Sequence, residues 1–109
     1  MSPDRRLGRD QHVLNVDASH APALVVEPGV IIEIETWDCY GGQVTSEAVT
    51  REHIDPSLIN AATGPIYVRG DERGDTLSVI LLDIRPAALG AAICAPEWGQ
   101  LGSRVAPGT

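Results

Sequence analysis

A pattern written twice along the chain restricts its architecture more than any other property. Gly29, Ile32, Ile34, Thr36 and Asp38 are matched at one constant offset by Gly74, Leu77, Val79, Leu81 and Asp83. In each copy a Gly-bearing turn leads into an aliphatic strand that ends in Asp. In the first, Ile32, Ile34 and Thr36 fall on one face and Glu33, Glu35 and Trp37 on the other, the period-2 alternation of a half-buried strand. The second, "TLSVILLDI", alternates at first and then becomes solidly apolar. An internal repeat and the general likeness of β-hairpins explain the echo equally well. Either origin predicts an all-β fold, a sandwich or partial barrel of β-hairpins.

The rest of the chain fits that frame. "ALVV" (23–26), the turn Glu27-Pro28-Gly29 and "GPIYV" (64–68) read as further strands and punctuation. Residues 45–62 carry helix formers interrupted by Pro56, which predicts one or two short helical turns on a long connection. Residues 1–10 are polar and expected to form a flexible, frayed N-terminus. Residues 11–86 then form the β domain. Residues 87–109 make a Gly/Ala/Pro-rich tail that reads as a chain interrupted before its domain closes.

Composition narrows the function. The 109 residues suit one domain with a modest core, which must be aliphatic because the chain has no Phe. A net charge of −7 argues against nucleic acid and against an anionic membrane surface. No window approaches the ~20 apolar residues of a membrane span. "MSPDRRLGRDQH" lacks a signal-peptide core, so a cytoplasmic location is expected. Cys39 and Cys94 are too few and too far apart for a zinc ribbon or disulfide scaffold, and read as reduced thiols. All eight basic residues are Arg, so no Lys is present for Schiff-base chemistry.

Two stretches carry chemistry. In "TWDCYGGQ" (36–43), Asp38 closes a strand ahead of Gly41, Gly42 and Gln43. A carboxylate so placed suits a general base or a metal ligand, and equally an Asx-turn that caps its own loop. The glycines let backbone approach a ligand or simply loosen the loop, and the Gln43 amide can bond a substrate amide. In "NAATGPIYV" (60–68), Thr63, Gly64 and Pro65 form a polar turn able to bind a small polar molecule or merely to enter a strand. His12, His20 and His53 show no spacing that places two on one face, so a local zinc site is not expected.

Together, "PALVVEPG…IEIETWDCYGGQ", "NAATGPIYVRGDERGDTLSVILLDI" and "WGQLG" resemble, in order and rough spacing, the N-terminal part of the acetamidase/formamidase family. The likeness runs from about His12 to Leu101. It implies a β-rich, cytoplasmic, oligomeric amidohydrolase that releases ammonia from short linear amides such as formamide or acetamide. It also implies a divalent metal, zinc or calcium, held by carboxylate and His ligands. Asp38 and Gln43 match the family's D-x-x-x-G-Q stretch, and Thr63, Gly64 and Pro65 its A-T-G-P turn. His12 falls where members often carry a histidine. The resemblance thus implies Asp38 and Gln43 as catalytic, Gly41, Gly42 and Thr63–Pro65 as substrate-binding, and Asp38 and His12 as metal ligands. Ala61 stands where a Pro is usual, and the family's downstream His- and Gly-rich motifs are missing. The expected partner is a second copy or a complementary downstream subunit. The alternative is a truncated, non-catalytic β-domain that only folds, oligomerises or binds a small polar ligand.

Overall fold

The computed structural model describes residues 2–106. It is built from short strands: β1 (Arg5–Leu7), β2 (His12–Val13), β3 (Leu24–Val26), β4 (Ile32–Ile34), β5 (Ala62–Thr63) and β6 (Ile66–Val68). Single 3-10 turns follow at Arg51–His53, Pro56–Leu58 and Gly102–Arg104. The all-β class holds, and both short turns within 45–62 form, the second opening on Pro56 at its first position. No helix among the described residues is long and apolar enough to cross a membrane.

Pairing runs between distant strands rather than through consecutive hairpins. β1 pairs with β4 and β3 with β6, both parallel, while β2 pairs antiparallel with β5. The turn at 27–29 therefore does not fold β3 onto β4. The physical reason lies in what each strand finds beside it. Past Val26, the backbone amide of Arg69 donates to the Val26 carbonyl at 2.8 Å. The Arg69 guanidinium meets Glu27 at 2.6 Å. β4 is held instead by the N-terminus. Asp4 takes the Ile31 amide on its carboxylate at 2.8 Å, and Arg6 meets its register partner Glu33 at 3.1 Å. Exposed ion pairs contribute only about 0–1 kcal/mol, so these fix register more than stability.

The polar N-terminal stretch accordingly enters the fold instead of fraying. Its anchor is Leu7, which is 2% exposed and packs with Leu24 and Val26. In β3 the alternation is plain, with Leu24 and Val26 buried and Val25 turned outward. Ala23, Val30, Ile32, Ile66 and Val68 surround this cluster, so the core sits between the two parallel pairs.

The second copy of the repeated pattern behaves differently from the first. Gly29 and Gly74 both take positive φ, at 85° and 100°, so the turn recurs. The strand does not: among the described residues, no backbone hydrogen bond reaches 77–84. Its side chains stand in solvent, with Val79, Ile80 and Leu81 at 70–78% exposure. The whole molecule reflects this openness. Its radius of gyration is 17.5 Å, against about 13 Å for a compact chain of this size. Its accessible surface is 8878 Å², against about 5,800 Å² for a compact monomer of its mass.

Candidate active site

Three segments meet beside the core: the loop that follows β4, the 58–65 turn, and β2. The loop is shaped by Asp38, whose Oδ1 accepts the amides of Tyr40 at 2.7 Å and Gly42 at 3.3 Å. Gly41 and Gly42 follow with φ of 64° and 77°. Neither leaves room for a side chain. A Cβ on Gly41 would lie 2.9 Å from the Leu58 carbonyl oxygen, and one on Gly42 2.9 Å from the Trp37 ring. Both glycines are therefore required by backbone conformation and by close approach.

Gln43 binds this loop to the 3-10 turn at 56–58. Its amide nitrogen donates to the carbonyls of Tyr40 and Asp55 at 2.9 and 3.2 Å, and its Oε1 accepts the Asp55 amide at 2.8 Å. Asp55 in turn caps the 3-10 turn. Its Oδ1 accepts the Ser57 hydroxyl and amide, and these bonds hold its carboxyl below the usual Asp range.

Asn60 closes the other side. In the left-handed region at φ 60°, it donates its backbone amide to the Cys39 carbonyl at 2.7 Å. Its side-chain oxygen accepts the Cys39 thiol at 3.2 Å. Three residues on, the Thr63 hydroxyl donates to the Glu35 carbonyl at 2.6 Å. Thr63 also lies opposite His12 in the β2–β5 pair, and the Gly64 amide donates to the Gln11 carbonyl at 2.9 Å. The carbonyl of Pro65 then accepts the amides of Ala23 and Leu24, which ties the turn to the core.

Arg9 completes the arrangement. Its carbonyl accepts the His12 Nδ1–H at 2.8 Å and the Trp37 indole N–H at 3.0 Å. Its guanidinium lies 3.8 Å above the Trp37 ring, a cation–π contact. The residues singled out in the sequence thus fall in one connected region. His12 faces Thr63, Thr63 holds the strand leading to Asp38, and the 36–43 and 60–65 loops lie together.

What the side chains do there is uneven. The Gln43 amide spends both of its ends on loop backbone, so it holds the site's shape. Asp38 uses Oδ1 for its own turn, while Oδ2 takes no hydrogen bond from the described residues. Cys39 is exposed and unoxidised, as is Cys94. No group of three or more His, Cys, Asp or Glu able to hold a metal lies among the described residues. Asp38 and His12 alone are fewer donors than zinc or calcium takes from a protein. His20 bonds Asn15, and His53 serves the Thr50 cap, so neither joins the site. A groove of about 480 Å³ lies elsewhere, between residues 44–49 and 89–94.

Arg9, Trp37 and the Glu35 carbonyl were not legible as site residues, and Asn60 was legible only as part of the polar turn at 60–65. A signal existed only for Asn60, since Asn tolerates the left-handed backbone better than most residues.

With this geometry in view, comparison with known proteins decides the family. The model of the acetamidase/formamidase family matches residues 10–103, which contain every candidate residue read from the sequence, with Arg9 just before them. The chain belongs to the acetamidase/formamidase family. Among solved structures, the chain is similar to an acetamidase from Bacillus halodurans, with a TM-score of 0.91 and 34% identity over 94% of this chain and 35% of that one. A recombinant protein from Thermoanaerobacter tengcongensis, described as a predicted acetamidase/formamidase, superposes with a TM-score of 0.62. It is 38% identical over 65% of this chain and 24% of that one. A candidate formamidase of Schizosaccharomyces pombe is 32% identical over 63 residues, 56% of this chain and 15% of its own length. The chain therefore spans about a third or less of the length of each relative.

Proposed function

We propose that this chain supplies the first part of an amide-hydrolysing site, completed by further polypeptide, that acts on the carbon–nitrogen bond of short linear amides such as formamide and acetamide. Family membership supports amide hydrolysis. The observation that carries the placement is the convergence of the 36–43 and 60–65 loops with β2. Hydrolysis adds water to the amide carbonyl carbon, passes through a tetrahedral oxyanion, and breaks the C–N bond. The amide nitrogen leaves as ammonia after gaining a proton, and the acyl group leaves as carboxylate. In this scheme Asp38, through Oδ2, accepts the proton of the attacking water. Thr63–Pro65, with Gly41 and Gly42, forms one wall of the substrate site. Gln43 positions the loop instead of touching substrate. The oxyanion donors and any metal ligands beyond Asp38 and His12 come from outside this chain. Completion by a second copy or by a downstream subunit, and a cytoplasmic site of action, belong to the same proposal.

The experiment is a fusion in which this chain replaces the matched part of the Bacillus halodurans acetamidase, assayed for ammonia release from formamide and acetamide. Turnover that falls by orders of magnitude in Asp38→Asn, with the fold unchanged, is the expected result. A folded fusion without turnover, or one indifferent to Asp38→Asn, rejects the assignment. The non-catalytic alternative has one observation behind it, the commitment of Gln43 and of one Asp38 oxygen to loop backbone.

A further inference from the structure

Residues 77–84 are the feature that the chain's own fold leaves unused. On a strand, Leu77, Val79, Leu81 and Asp83 share one face and Ser78, Ile80, Leu82 and Ile84 the other. From 79 to 82 both faces are aliphatic. An edge strand, or one covered on a single side, alternates apolar with polar, as Ile32, Glu33 and Ile34 do in β4. A run apolar on both faces is the mark of a strand with layers above and below it and neighbours at both edges. Here it has none of these. Its backbone groups reach no partner among the described residues, and Leu82, the least exposed of its apolar residues, is still 54% exposed. Monomeric proteins seldom leave so contiguous an apolar stretch in water.

We infer that residues 77–84 form an interior strand of a sheet whose other strands and covering layers come from the part of an acetamidase/formamidase that this chain does not span. The inference rests on the family reading and names its seam. A second copy of the chain serves this role poorly. It brings only the same eight residues, which can pair along one edge while both faces stay open. Its remaining exposed large apolar residues, such as Leu14, Val16 and Leu58, form no second consecutive run. The portion of the Bacillus halodurans acetamidase left unmatched is, by contrast, nearly twice as long as the matched 35%. That is enough to supply neighbouring strands and both layers. Recognition is by strand addition, backbone pairing giving affinity and alternate side chains giving register.

Hydrogen–deuterium exchange over 77–84 tests this. In the isolated 109-residue chain these amides should exchange at unprotected rates. In the fusion with the unmatched part of the Bacillus halodurans acetamidase they should slow by about 100-fold or more. Val79→Asp and Leu82→Asp, one on each face, should abolish that protection while leaving the circular dichroism of the isolated chain unchanged. Protection already present in the isolated chain, together with a dimer's mass, would make a second copy the occupant and overturn the inference. So would unprotected amides in a folded fusion. Should the fusion not fold, the same unmatched polypeptide added in trans carries the test, and a chain that stays monomeric without a 1:1 complex overturns it. Ammonia release separates the two readings. Protection without turnover sinks the amide assignment and leaves the seam standing, and turnover with 77–84 unprotected does the reverse.

Discussion

At the scale of single residues, Asp38 keeps one carboxylate oxygen clear of its own turn while Gln43 spends its whole amide on loop backbone. Both were candidates for chemistry, yet hydrogen bonding commits the amide of Gln43 to the backbone at 40 and 55. Gln43→Ala should therefore loosen the loop: in the fusion, KM should rise and kcat fall together, and the Asp55 amide should exchange faster. Gln43→Glu separates shape from amide chemistry. It keeps the acceptor for the Asp55 amide but loses both donations, so it should restore only part of the exchange protection. A Gln43→Glu variant as active as wild type would show that the donated bonds do not matter. The types and spacing of Asp38, Gly41, Gly42 and Gln43 were legible because turn chemistry is local. Their division of roles was not, because Asp55 lies twelve positions from Gln43.

At the scale of elements, the 3-10 turn at 56–58 gives a pH-dependent expectation. Asp55 accepts the Ser57 hydroxyl and amide, and its carboxyl is lowered because those bonds favour the charged form. In the unfolded chain the group titrates near about 3.9. A folded value below the unfolded one means that the unfolded state binds more protons as pH falls. The contribution is thus fully present above about pH 4 and disappears as pH drops through the folded value. Carbon-detected NMR of the Asp55 carboxyl should show a midpoint below the ordinary Asp value, and Ser57→Ala should move it upward. A midpoint at or above the ordinary value would mean the cap does not hold in solution.

The strands at 24–26, 32–34 and 66–68 were legible from the sequence, whereas β1, β2 and β5 were not and the stretch 77–84 finds no partner; pairing was not legible at all. β3 and β4 flank a Pro-Gly turn and would be drawn as a hairpin, yet each finds a parallel partner far along the chain. Nothing local encodes that choice. It follows from Leu7, an apolar residue in a mostly polar segment, burying itself against Leu24 and Val26. Leu7→Ala should consequently cost about 2–5 kcal/mol. That is a large share of the stability of a chain with so few buried side chains, and the midpoint of urea unfolding would register it. A shift of only a few tenths of a kcal/mol would show that the β1–β4 pair is held by its ion pair and backbone bonds instead.

At the scale of the whole molecule, an accessible surface of 8878 Å² exceeds that of a compact monomer of this mass by roughly 3,000 Å². Obligate interfaces bury areas of that order. The repeat noticed in the sequence explains where the excess concentrates: its first strand has a partner in β1, and its second has none. The same openness bears on chemistry. Catalysis of amide hydrolysis needs a site that excludes water and presents donors fixed toward the oxyanion. Here Asp38, His12 and Cys39 all face solvent. No metal-binding group of three or more side chains lies among the described residues, and the groove of about 480 Å³ is formed by other segments. The purified 109-residue chain should thus release no ammonia from formamide or acetamide above the uncatalysed rate. It should also retain less than one equivalent of zinc or calcium after equilibrium dialysis. Ammonia assays and elemental analysis on the same preparation would check both. Steady turnover by the chain alone would mean that its two converging loops already form a working site, and that the uncovered strand at 77–84 serves some purpose other than completing it.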